Sequence, residues 1–283
     1  MRLNQAQWEV WEQQARSLTG QLPTYIPRLA EVEPNAFALQ MRNLKGETWT
    51  RGNPELMFPL MSVVKPLLLL FLLECLGEES VFQQVGREAS ELPFNSLEQL
   101  EADGGFPRNP MINSGAIALC NLLPDPECLR EWLNQHANCQ LFLDEVMLAS
   151  VRAVPNQRNL AIAERLQQAG LLTQSPLQVL DIYERICCLS GAIADVAQLG
   201  LLLAQPGKTR EIVTEIVRQC GLYQASAAFA AEVGIPTKSS VSGLLLSWVP
   251  REGAIAIYSP PLDPAGNSIQ GLFLLKQIAK LEH

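Results

Sequence analysis

The strand-like runs of this 283-residue chain lie near its two ends, and a helical stretch separates them. Ala36–Arg42 and Glu47–Arg51 flank the turn-forming Asn43-Leu44-Lys45-Gly46, which predicts a hairpin. Val241–Val249 and Ala254–Ser259 flank Pro250-Arg251-Glu252-Gly253 in the same way, and Ile269–Leu281 reads as a closing helix. Between them, Asp125–His136, Asn159–Ala169, Pro176–Leu189 and Ile193–Leu203 carry apolar residues at i, i+3, i+4 spacing. Two hairpins at opposite ends of the chain predict one antiparallel sheet flanked by helices, with an all-α lobe inserted. This α+β arrangement makes a single domain with a sheet lobe, about residues 1–75 and 220–283, and a helical lobe, about residues 76–219. The cleft between them is the default site.

Charge and side-chain chemistry then narrow the function. Lysine plus arginine total 21 against 29 acids, a formal charge of −8 with no basic cluster, which argues against a nucleic-acid partner. Of the two histidines, His283 falls in a Leu281-Glu282-His283 ending of the kind an expression tag leaves. His136 alone is left for a catalytic triad, and a multi-histidine metal site is excluded. The seven cysteines include no C-x-x-C pair, and their odd number suggests free thiols in a reducing cytoplasm. Asn4–Arg16 is polar and helix-like, without the apolar core of a secretory signal. Met57–Leu76 is broken by Lys65 and Glu74, so it reads as a buried core helix rather than a membrane span. The expectation is a cytoplasmic protein acting on a small molecule, with no membrane partner.

Three segments carry side chains suited to chemistry. Lys65 sits among Pro59, Leu60, Val63, Val64 and Leu67–Leu70, where burial of an ammonium lowers its pKa unless the charge is partnered. Ser62 precedes it by three residues, so on a helix the two share a face, and a deprotonated lysine can take the hydroxyl proton that histidine takes in a triad. Pro66 places the pair in a first helical turn, whose free N–H groups can hold an oxyanion. A capping Ser62 and a snorkelling Lys65 would account for the same pattern. In Pro107–Ile117, Asn109-Pro110 and Ser114-Gly115 fix Asn113 at the entry to a helix through Leu122. Its carboxamide suits an amide or carboxylate substrate, and equally an N-cap. Pro236–Val241 opens a strand with Lys238-Ser239-Ser240, a partial likeness to the Lys-Ser/Thr-Gly strand of penicillin-recognising enzymes. The plain alternative for Lys238 is an exposed edge lysine.

Taken in order, these segments resemble the glutaminase family of the serine β-lactamase-like superfamily. The likeness is carried by Tyr25-Ile26-Pro27-Arg28-Leu29-Ala30, Ser62-Val63-Val64-Lys65, Pro93-Phe94-Asn95-Ser96, the Asn109–Ile117 block, Arg158-Asn159, Cys220-Gly221-Leu222-Tyr223, Pro236-Thr237-Lys238-Ser239 and Gly266-Asn267-Ser268. It runs from about Gln21 to near the C-terminus and implies a β-lactamase-like fold. It further implies hydrolysis of L-glutamine to L-glutamate and ammonia, with Ser62 as nucleophile and Lys65 as its proton acceptor. Tyr25 would lie over the nucleophile, with Tyr183 and Tyr223 lining the pocket and available for proton transfer. Asn113 and Asn159 would grip the α-carboxylate and α-amino end, and the backbone of Val241 would complete the oxyanion hole with Ser62. Without the resemblance, Asn159 reads as an N-cap before Leu160. No metal or organic cofactor is implied, and the family commonly forms homo-oligomers.

Two positions depart from the family pattern. Where the family carries a glutamate that pairs with the substrate's α-ammonium, seven residues before the Arg-Asn pair, this chain has Arg152, and Val146–Asn159 contains no acid. An arginine would repel an ammonium and attract an extra carboxylate. Asp144 or Glu145 could fold back as a substitute. Ser240-Val241-Ser242-Gly243 also replaces a glycine-rich run, and a bulkier strand there would reshape the oxyanion region. The alternatives to a glutaminase are therefore a serine hydrolase of the same fold with another amide or ester substrate, or a non-catalytic binding paralogue.

Overall fold

The computed structural model describes residues 4–281, so Glu282 and His283 of the tag-like ending lie outside the described residues. Its strands are β1 (Ala38–Asn43), β2 (Thr48–Gly52), β3 (Phe58–Pro59), β4 (Phe142–Leu143), β5 (Leu189–Gly191), β6 (Thr237–Ser239), β7 (Leu244–Val249) and β8 (Gly253–Tyr258). The main sheet has the order β2-β1-β8-β7-β6 and is antiparallel throughout. The two terminal hairpins join through β1 and β8, with Ala38 opposite Tyr258 and Asn43 opposite Gly253. The antiparallel sheet expected from both chain ends is present. A second sheet, β3-β5-β4, was not foreseen, because strands of two or three residues are too short to show alternation.

Alternation along β8 divides the core. Ile255 and Ile257 point to one face, where Trp8, Leu39, Leu245 and Leu275 pack with them beneath α1 (Gln5–Arg16) and the C-terminal helix Ile269–Ala279. Ala254, Ala256 and Tyr258 point to the other, into the larger core shared with the helices. The small side chains on that face let the Ile193–Ala204 helix approach closely: a Cβ on its Gly200 would lie 2.5 Å from the Ala254 methyl.

The remaining helices carry the site. They are α2 (Pro27–Ala30), α3 (Val64–Phe82), α4 (Leu97–Ala102), α5 (Asn113–Cys120), α6 (Pro126–Ala137), α7 (Glu145–Arg152), α8 (Gln157–Gln168) and α9 (Pro176–Cys187). The series continues with α10 (Ile193–Ala204), α11 (Lys208–Cys220), α12 (Ser226–Glu232) and α13 (Ile269–Ala279). The first turns of α3 are buried on every side, as its apolar sequence demands, with Lys65 the single charge inside them. Met57–Leu60 is not part of this helix. Phe58 and Pro59 form β3, and a 3-10 turn over Met61–Val63 leads into α3. Gly77, at φ +82°, then interrupts the helical path before Phe82. No described helix is long and apolar enough to cross a membrane.

Gly115 locks the Asn109–Ile117 block. A Cβ there would fall 1.9 Å from the Asn109 carbonyl oxygen, so α5 can lie against this backbone only as glycine. Gly115→Ala is therefore expected to lower unfolding stability by about 1–3 kcal/mol, the usual range for overpacking. Urea denaturation checks this, and an unchanged midpoint would contradict the close approach.

Candidate active site

A cavity of ≈ 210 Å³ opens where the turn before α3, the start of α5, the loop between α7 and α8, and α9 converge. Of the eight residues expected to form the site, Tyr25, Ser62, Asn113, Asn159, Tyr183 and Val241 line it. Lys65 lies behind Asn113, fully buried, and Tyr223 is held against the neighbouring Phe94 ring at 4.6 Å. Tyr25 is 52% exposed at the mouth, brought there by α2, whose Arg28 N–H donates to Ser150 Oγ of α7.

Ser62 occupies the 3-10 turn over Met61–Val63, and Lys65 and Pro66 follow in the first turn of α3. Pro66 is tolerated there because a first-turn N–H has no intrahelical acceptor. Met61 has φ +44°, a conformation that a long side chain adopts only when its surroundings enforce it, and Tyr223 has φ +55°. Strained backbone thus stands immediately before Ser62 and again at a tyrosine whose ring faces it.

The Lys65 ammonium donates to Asn113 Oδ1 at 2.8 Å and to the Met111 carbonyl at 3.2 Å. No hydrogen bond joins it to Ser62 among the described residues, so the Ser-Lys pair is adjacent at rest rather than bonded. The donation identifies the Asn113 oxygen and turns its Nδ2 outward, where it donates to Asn159 Oδ1 at 3.0 Å. Tyr183 donates its hydroxyl to the same Asn113 oxygen at 3.1 Å. Asn113 is consequently not the N-cap of α5, a place taken by Ile112, and Asn159 is not the N-cap of α8, a place taken by Asn156. Both amides are directed sideways into the site.

Burial pushes the Lys65 pKa down to about 8, against the opposing pull of the Cys187 and Cys120 thiols. Lys238 is held well below the usual lysine range, first by burial and then by the charge of Lys65. It is fully enclosed rather than an exposed edge lysine, donating to the Gly221 and Ser239 carbonyls at 3.0 and 2.7 Å with its charge 4.4 Å from the Tyr223 ring centre. Burial raises the pKa of Tyr223, partly offset by the Ser62 and Ser239 hydroxyls beside it. Burial also holds Tyr183 well above the ordinary phenol range.

Val241 lies in a turn, not in the strand expected to begin there; β7 starts at Leu244. The serines that replace glycines tie this turn together. Ser242 N–H donates to Ser240 Oγ at 3.1 Å, and Ser242 Oγ donates to the Pro59 carbonyl at 3.0 Å, just ahead of the turn that carries Ser62.

Arg152 does not line the cavity. It pairs with Asp181 and, through Nε at 3.1 Å, with Glu184. Asp144 caps α7 by accepting from Met147 N–H, so it does not fold back into the site. The lining acid is Glu184, which the sequence reading missed. Its signal was an acid directly after Tyr183 on a helix whose next turn back carries Asp181. No group of three or more metal-ligating side chains is placed to hold an ion among the described residues.

The comparisons with known proteins converge on one family. The glutaminase family model matches residues 20–282. A glutaminase of Synechocystis sp. is 44% identical over 97% of this chain and 88% of its own length. Glutaminase 2 of Escherichia coli K12 is 33% identical over 94% and 93%. A solved probable glutaminase of Bacillus subtilis superposes with a TM-score of 0.86 at 26% identity, covering 96% of this chain and 93% of its own. The structure of Mglu in its glutamate form superposes at 0.91 with 28% identity, covering 100% and 69%. By the extent of these matches, this chain belongs to the glutaminase family.

Proposed function

We propose that the chain hydrolyses L-glutamine to L-glutamate and ammonia through a Ser62 acyl-enzyme. The observation that carries this reading is the chain of hydrogen bonds from Lys65 through Asn113 to Asn159 and Tyr183, which ends in one cavity with Ser62 on its wall. Family membership supplies the substrate.

In this reading Ser62 Oγ attacks the side-chain carboxamide carbon while neutral Lys65 accepts the hydroxyl proton. The carbonyl π electrons move onto oxygen, where the N–H groups of Ser62 and Val241 receive the charge. Collapse breaks the C–N bond, and the lysine proton passes to the leaving nitrogen, giving ammonia. Water then attacks the glutamyl ester, Lys65 takes its proton, and the proton returns to Ser62 Oγ as L-glutamate leaves. Tyr183 and Tyr223 hold protonated phenols beside these transfers, Tyr25 covers the nucleophile, and Asn113 and Asn159 bind the amino-acid end. The chemistry calls on no cofactor. All seven cysteines are free, which fits a reducing cytoplasm, and the family resemblance supports a homo-oligomer.

The rival reading, an altered substrate drawn in by Arg152, loses its basis because that guanidinium is paired outside the cavity.

Three outcomes follow. Purified protein should release ammonia from L-glutamine in preference to L-asparagine, and Ser62→Ala should abolish it; equal activity in the variant would remove Ser62 as nucleophile. Lys65→Ala should lose most of kcat while circular dichroism shows folded protein. Because only the deprotonated amine can act as base, kcat/KM should climb about tenfold per pH unit below about 8 and level off above it. A profile flat through that range would argue that Lys65 is not the base.

A further inference from the structure

Resting on the reading of L-glutamine as substrate, the geometry points to Glu184 as the group that binds the substrate's α-ammonium. A free amino acid brings a cation that must be neutralised when it enters a site closed from water. Glu184 is the one charged side chain lining the cavity among the described residues. It follows Tyr183 on α9, so the two project about 100° apart. Tyr183 turns to Asn113, and Glu184 turns to Asn156 and Arg152. A carboxamide at Ser62 and an ammonium at Glu184 thus take opposite ends of one molecule.

Glu184 remains available despite its salt bridge. Arg152 Nε engages Oε2, while Oε1 has only the Asn156 amide at 3.5 Å, leaving lone pairs for a stronger donor. Nor does Arg152 cancel the attraction, because its single positive charge is shared between Glu184 and Asp181. The three groups keep one net negative charge beside the cavity. Arg152, the residue that looks hostile to an ammonium in the sequence, is itself paired with two acids, and the Glu184 side chain is only 14% exposed.

The test compares steady-state ammonia release from L-glutamine by the full-length wild type, Glu184→Gln and Arg152→Gln. Glu184→Gln keeps shape and removes charge, so KM should rise about tenfold or more with kcat held within about threefold. Arg152→Gln frees the carboxylate without removing it, so its KM should change by less than about threefold. If Glu184 served only to anchor Arg152, the two variants would raise KM alike, and that result would overturn the assignment. An unchanged KM in Glu184→Gln would overturn it as well. Should Glu184→Gln not fold, a tenfold rise in KM for Arg152→Gln decides against the assignment by itself. Wild-type protein that releases no ammonia from L-glutamine defeats the substrate reading and this proposal together, whereas an active wild type isolates the question to Glu184.

Discussion

The ammonium of Lys65 lies inside the protein with no carboxylate to neutralise it. No aspartate or glutamate is buried among the described residues, and the charge rests on the Asn113 oxygen and the Met111 carbonyl. A carboxylate partner would have raised the lysine pKa; neutral acceptors leave desolvation in command and hold it at about 8. Much of the architecture follows from supplying those two acceptors. Met111 and Asn113 belong to the segment that Asn109-Pro110 turns, where Met111 N–H is itself taken by Asn109 Oδ1 at 2.9 Å. Gly115 lets the following helix close on that turn. The block so specific in sequence is thus a device for presenting two oxygens to one buried amine.

The sheet supplies the other half of the site from the opposite end of the chain. The β6–β7 connection is pinned to Pro59, just ahead of the Ser62 turn, by Ser242, while β7 pairs with β8 and β8 with β1. The turn that carries Ser62 therefore depends on a contact between residues 183 positions apart. Such a site forms only after the two ends of the chain have met, so local unfolding of either hairpin would uncouple it before the helices lose their structure.

How much of this was legible in the sequence depended on the length scale of the signal. The two hairpins, the helices and the pairing of chain ends rest on periodicities sustained over many residues, and they appear in the structure. Ser62, Asn113 and Asn159 were found by motif, but what their side chains do was not: both asparagines read as N-caps from local sequence, and tertiary partners claim them instead. For Lys238 the sequence left an exposed edge lysine as the alternative to a strand motif, and although β6 is an edge strand, α11 and the Tyr223 ring enclose it. Glu184 and Arg152 were the least legible, since an ion pair across two helices leaves no trace in either one's periodicity.

A second enclosed lysine, Lys238, imposes a further condition. Lys238 lies over the Tyr223 ring, Tyr223 adjoins Ser62, and the charges of Lys65 and Lys238 oppose each other strongly enough to lower the second. With no buried acid to absorb them, both cannot remain charged cheaply, and burial together with the Lys65 charge holds Lys238 well below the usual lysine range. In the proposed reaction an oxyanion at Ser62 would supply the negative charge that this interior lacks, so the burial that lowers the lysine pKa would also favour the transition state. A carboxylate placed among these groups would relieve the first effect and forfeit the second. That is a physical reason for the lining acid, Glu184, to be paired with Arg152 rather than with either lysine.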